Sequence, residues 1–155
     1  MLNGVQPQWF RAKIKLMKTR AGEKRGLYVS YNEKRNGDFA EAVKISKKPG
    51  GLTWLDKSRR KPEKLNYPTD IFIRLVGKEC YFHGDLVSIE LADNLPPNFV
   101  EGERNHRPLA WRNKDAEVPN KDFKTVFRIQ SLRKVSRPPE VKGLRPPQSP
   151  VYLPK

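Results

Sequence analysis

At 155 residues the chain is long enough for one domain with its own apolar core and short for two of ordinary size. Thirty-two Lys and Arg against 17 Asp and Glu give a net charge of +15 and a pI near 10.1, the electrostatic footprint of a protein that meets phosphates. A lone cysteine, Cys80, excludes an internal disulfide framework, and the opening MLNGVQPQWFRAKIK has no apolar signal core. Neither secretion nor a membrane partner is expected, and the expected setting is the cytoplasm, or the nucleus in a eukaryote.

In chain order, WFRAKIKLM alternates Phe10, Ala12, Ile14 and Leu16 with Arg11, Lys13 and Lys15, the period-2 pattern of a half-buried strand. GLYVSY is a second strand, with Leu27, Val29 and Tyr31 on one side. NGDFAEAVKISKK predicts a helix in which Asp38 caps and Glu41, three residues on, completes a capping box; it stops at Pro49-Gly50-Gly51. Residues 52–65 fit either a broken helix or an ordered loop, because Pro62 interrupts both periods. From Ile71 the pattern is a strand, a two-residue turn at Gly77-Lys78, and a returning strand from Cys80 to about Leu91, bent at Gly84. NLPPNFVEGERNHRP reads as a loop, LAWR as a short strand around Trp111, and FKTVFRIQSLRKV as the last regular element.

After Val135 the composition changes: six of the fourteen prolines fall in the final eighteen residues, so residues 138–155 are expected to be an extended tail or linker after a single domain at 1–137. Strands with one to three short helices give an α+β class built on a curved or barrel-like sheet.

No nucleophile elbow, phosphate-cradling glycine loop or zincin motif is present. Cys80, His83 and His106 do not make a zinc site, because an alternating strand sends Cys80 and His83 to opposite faces. Asp70, Glu79, Asp85 and Glu90 flank the hairpin, but the Glu-x-Lys that would complete a metal-dependent nuclease occurs only at Glu140-Val141-Lys142, among prolines. No catalytic residue, metal or cofactor is therefore assigned.

Basic residues interleaved with aromatics are the stronger signal. Net charge is +11 over residues 1–66, −3 over 67–100 and +7 over 101–155, and five cations crowd LDKSRRKPEKLNYPTD between Trp54 and Tyr67. A protein that holds an unpaired base needs cations for phosphate and an aromatic surface for the ring. Lys47, Lys48, Lys57, Arg59, Arg60, Lys61, Lys64, Arg107 and Arg112 are the candidate phosphate contacts. Trp54, Tyr67, Phe82 and Trp111 are the candidate pocket, although each alone would serve equally well as a packing residue.

The run YPTDIFIRLVGKECYFHGDLVSIE, a long loop, RPLAW, and then FKTVFRIQSLRKVSRPPEVKGLR resembles the back half of EVE-type domains of the PUA-like superfamily, over residues 67–145. The resemblance implies a β-barrel with flanking helices that binds nucleic acid and, in several relatives, an aromatic pocket for a modified base. It further implies a recognition module, monomeric in isolation, fused to or partnered by a nuclease or motor domain of a modification-dependent restriction system. DNA is the polymer expected, with a structural or accessory RNA-binding role as the alternative and a small metal-dependent nuclease using Asp70, Asp85 or Glu79 as a further one.

Overall fold

The structure, a computed structural model, describes residues 24–57, 65–117 and 123–154. Strand β1 (Lys24–Tyr31) leads through a helical turn α1 (Glu33–Asn36) into helix α2 (Ala40–Ser46), followed by β2 (Leu52–Asp56), β3 (Leu65–Leu75) and β4 (Tyr81–Leu91). A turn α3 (Phe99–Gly102) and helix α4 (Leu109–Glu117) precede β5 (Thr125–Val135), and β6 (Val151–Pro154) comes last. The strands form one mixed six-stranded sheet in the order β2-β5-β4-β3-β1-β6, with β1 and β3 parallel and the other pairs antiparallel. This is the expected α+β class with short helices.

Alternation along the strands gives the sheet two apolar faces. On the first, Leu27, Val29, Ile71, Ile73, Leu86, Phe127, Ile129 and Leu132 are buried under Phe39, Ala42 and Ile45 of the α2 segment and Trp111 of α4. On the second, Tyr28, Phe72 and Tyr81 pack with Val141 and Leu153, which belong to the proline-rich region. That region ends as the sheet's outer strand, because β6 pairs with β1 from Lys24↔Pro154 to Tyr28↔Val151.

Several expectations change. The alternating strand at 9–17 lies outside the described residues. Residues 52–56 form a strand, neither broken helix nor loop, because Leu52 and Thr53 are completely buried against β5. Strand β3 begins at Leu65, six residues before the clean alternation. Pro68 is tolerated there because it falls between Leu65↔Lys24 and the Thr69↔Leu86 pair, where β3 has no partner needing its missing N–H. The expected two-residue turn at Gly77-Lys78 is a wider loop, closed by Leu75 N–H to Cys80 O at 3.0 Å. LAWR is helical: Pro108 pre-sets the first turn and its carbonyl accepts the N–H of Trp111 and of Arg112, both at 3.1 Å. The capping box does not form. Asp38 Oδ1 accepts the Ala40 N–H at 2.8 Å, but Glu41 turns away and both its oxygens lie 3.2 Å from the Leu109 N–H, capping α4 across 68 residues. The bend at Gly84 is present as a bulge, where an added Cβ would sit 2.8 Å from Leu132 Cδ2.

Candidate functional site

Five aromatic rings from five segments meet at one end of the helix-covered face. Tyr31 closes β1, Phe39 precedes α2, Trp54 lies in β2, Phe82 in β4 and Trp111 in α4. Tyr31 is the hub, with ring centroids 4.6 Å from Phe39, 5.9 Å from Trp54 and 5.8 Å from Trp111. Trp54 stands 5.7 Å from Trp111 and Phe82 4.9 Å from Phe39, all in the tilted or edge-on arrangements that aromatic quadrupoles favour. The Trp111 indole N–H donates to Tyr31 Oη at 2.8 Å, and that hydroxyl donates onward to the Gly37 carbonyl at 2.8 Å or the Asn36 carbonyl at 3.0 Å. Burial raises the Tyr31 phenol above its ordinary pKa, against the opposing pull of the Trp111 N–H, so it stays a neutral donor.

Exposure divides the cluster. Tyr31, Phe39 and Trp111 are buried, whereas Trp54 and Phe82 are half-buried and form its accessible part. Three of the four sequence-predicted pocket residues, Trp54, Phe82 and Trp111, are thus brought together. Tyr67 is not among them: it is 39% exposed and lies at the start of β3 by Ile89 and Tyr152, its phenol pushed up to about 12 by burial and then by the Tyr152 phenol.

The predicted cations also divide. Lys47 and Lys48 are exposed at the end of α2, and Lys57 is exposed just after β2. Arg59, Arg60, Lys61 and Lys64 lie outside the described residues. Arg107 is only 5% exposed and sits over the Trp111 ring at 5.9 Å; burial and then the charge of Arg112 bring its guanidinium down to about 10. Arg107 is therefore a packing cation beneath the cluster, and Arg112 is half-buried beside it.

Lys134 was not evident from sequence. It lies directly across from Phe82 in the β4–β5 register and so shares its face. Two residues earlier, the Leu132 N–H donates to Ser46 Oγ at 3.0 Å, joining this part of β5 to the end of α2. Lys134 thus stands beside Phe82, and Lys47 and Lys48 follow the Ser46 that is bonded to β5 two residues before Lys134.

The turn bearing Lys48 is rigidly held. The Gly51 N–H donates to Lys48 O at 3.0 Å, Gly50 and Gly51 adopt φ of 86° and 68°, and His106 Nδ1 donates to the Gly51 carbonyl at 3.1 Å. Among the described residues, the acids pair elsewhere: Glu33 with Lys78, Glu79 with Arg74 and Arg137, and Glu90 and Glu103 with Arg128. No ion pair within that set neutralises Lys47, Lys48, Lys57 or Lys134. No cluster of three His, Cys, Asp or Glu among the described residues could hold a metal, and none of their helices is long and apolar enough to cross a membrane.

The sequence matches no protein-family model and no curated protein. Its fold is similar to that of the solved ASCH protein from Zymomonas mobilis, with a TM-score of 0.54 and 18% identity over 84% of this chain and 89% of that one. A Tyr-to-Phe mutant of the same protein aligns at 0.54 and 16% identity over 85% and 92% of the two chains, and a Ser-to-Ala mutant at 0.52 and 14% over 85% and 90%. At such identities the likeness is one of fold. The expected α+β fold, a mixed sheet with short helices, is the one shared with these ASCH structures; an EVE-type identity is not established by them.

Proposed function

We propose that the chain is a non-enzymatic nucleic-acid-binding domain that seats an unpaired base against Trp54 and Phe82 while surrounding lysines engage phosphate. The observation that carries this reading is the joining of these two accessible rings to a buried aromatic platform, with Lys134 across from Phe82 and the exposed Lys47 and Lys48 just past the Ser46 that bonds Leu132. Stacking supplies affinity for any base, and cations without a carboxylate partner among the described residues supply the salt-dependent part. The PUA-like fold and the resemblance over residues 67–145 support the finer form of the proposal. In that form the polymer is DNA, the base is flipped and modified, and the domain reads it for a nuclease or motor domain of a restriction system.

The test is fluorescence anisotropy on duplex DNA with and without one modified base, single-stranded DNA and single-stranded RNA, between about 50 and 200 mM salt. Affinity should fall as salt rises, and Trp54→Ala should weaken binding by about tenfold, the loss of one stacked base. Salt-independent binding, or an unaffected Trp54→Ala variant with an intact fold, overturns the reading. Tightest binding to RNA would replace DNA as the polymer. Cleavage of any of these polymers in magnesium or manganese would remove the non-enzymatic part.

A further inference from the structure

On the sheet face opposite the aromatic cluster, three side chains from three adjacent strands form a hydrogen-bonded chain. His83 of β4 bonds through Nε2 to Asp70 Oδ1 of β3 at 2.8 Å, and Arg133 of β5 donates from Nη2 to His83 Nδ1 at 2.9 Å. The imidazole is stacked on Phe72, with centroids 4.7 Å apart and planes 14° from parallel, so its orientation is fixed from below as well as from both sides. Its side chain is 22% exposed and Arg133 is exposed.

The two partners select one tautomer of the neutral ring. Arginine only donates, so Nδ1 must be the unprotonated nitrogen and Nε2 the N–H that faces Asp70. Arg133 therefore points at a neutral imidazole nitrogen, and among the described residues it has no carboxylate partner. Among the other groups facing the ring, Asp85 is a further carboxylate, which favours the imidazolium and opposes a bound anion, so the anion must rely on Arg133 and the protonated ring. Strand β3 contributes Asp70 and the apolar Phe72, β5 contributes Arg133, and on β4 the same-face neighbours are Tyr81 and Asp85, two residues to either side.

We infer that Asp70, His83 and Arg133 form a proton-linked phosphate site, a second contact for a polynucleotide backbone on the face away from the aromatic cluster. A proton on Nδ1 converts the acceptor into a donor facing another donor, so Arg133 must leave, while Asp70 holds the imidazolium more strongly than the neutral ring. The result is two adjacent cationic donors, a guanidinium fork and an imidazolium N–H, both within reach of one phosphate group. Linkage makes the coupling reciprocal: an anion that draws Arg133 away raises the proton affinity of His83, and protonating His83 tightens the anion. The polynucleotide as the phosphate's source rests on the proposed function; the proton linkage itself does not.

The test follows the Cε1–H resonances of the two histidines, His83 and His106, in the full chain from pH 8 to pH 5, in inorganic phosphate against chloride at equal ionic strength. A thymidine oligonucleotide forms a second arm. Phosphate should move the His83 titration to higher pH and leave that of His106 in place. Phosphate affinity should rise as pH falls, by no more than about tenfold per pH unit for one proton. Arg133→Gln should abolish both effects while the amide spectrum stays native. A His83 titration that phosphate does not move, moves no more than that of His106, or moves equally in Arg133→Gln, overturns the inference. If phosphate shows the linkage and the oligonucleotide does not bind, the site stands and single-stranded DNA falls as the source of its phosphate. If the oligonucleotide binds and neither it nor inorganic phosphate moves His83, the nucleic-acid reading stands and the site falls.

Discussion

The Tyr31 hydroxyl joins three segments through hydrogen bonds: it accepts from Trp111 in α4 and donates to the carbonyls that end α1, from its own place at the end of β1. Tyr31→Phe keeps the ring but leaves a buried indole N–H without an acceptor, so it should cost about 1–3 kcal/mol in urea unfolding followed by tryptophan fluorescence. Glu103 works by charge. Burial, the largest single influence, pushes its carboxyl up, yet hydrogen bonds from Thr53 and Arg128 at 2.7 Å, with the charges of Arg128 and His106, bring it below the ordinary glutamate value. A depressed folded-state value means stability that is fully present above the unfolded value and lost as pH falls through the folded one. Wild type should therefore lose part of its urea midpoint on acidification, and Glu103→Gln, already weakened at neutral pH by about 1.5–3 kcal/mol, should lack that part. At this scale the sequence was informative about residue type and silent about pairing. It singled out Trp54 and Trp111 as aromatics near cations and Phe82 as a pocket candidate, but not Lys134, whose relevance depends on cross-strand register, nor the burial of Arg107.

Elements show why some of the fold was legible and some was not. Strands β1 and β3 announce themselves by alternation, since Leu27, Val29 and Tyr31 and then Ile71, Ile73 and Leu75 put one face in the main core. Strand β2 is only five residues long, and helix α4 begins on four residues that suit either structure, so tertiary contacts decide both. The cap on α4 is one such contact. Glu41→Ala leaves the Leu109 N–H without its carboxylate and should destabilise by about 0.5–2 kcal/mol in the same unfolding measurement, with no change in salt-dependent binding. The turn between α2 and β2 predicts a larger effect. A Cβ on Gly50 would lie 2.5 Å from His106 Cε1 on a backbone at φ 86°, so Gly50→Ala combines a clash with a left-handed strain. It should cost more than about 1 kcal/mol and, by shifting Lys48, also flatten the salt dependence of any nucleic-acid binding.

At the scale of the molecule, the proline-rich region completes the sheet. Arg137 bonds both Glu79 and the Tyr81 hydroxyl, Val141 fills the second face, and β6 covers the edge of β1. Deleting residues 151–155 removes the buried Tyr152 and Leu153 and uncovers a strand edge, so it should lower stability by about 3 kcal/mol or more and promote association visible in size-exclusion chromatography. Composition indicated that this region is extended, but not that it pairs, because its partner lies more than a hundred residues away. That separation has a kinetic consequence. Strand β1 lies between β3 on one side and β6 on the other, and neither contact is local in the chain, so the early strand must wait for neighbours synthesised later. Loop-closure entropy precedes the reward of pairing in such topologies. During synthesis β1 would therefore emerge with both edges open, and its β6 edge could close only after residues 151–154 had left the ribosome.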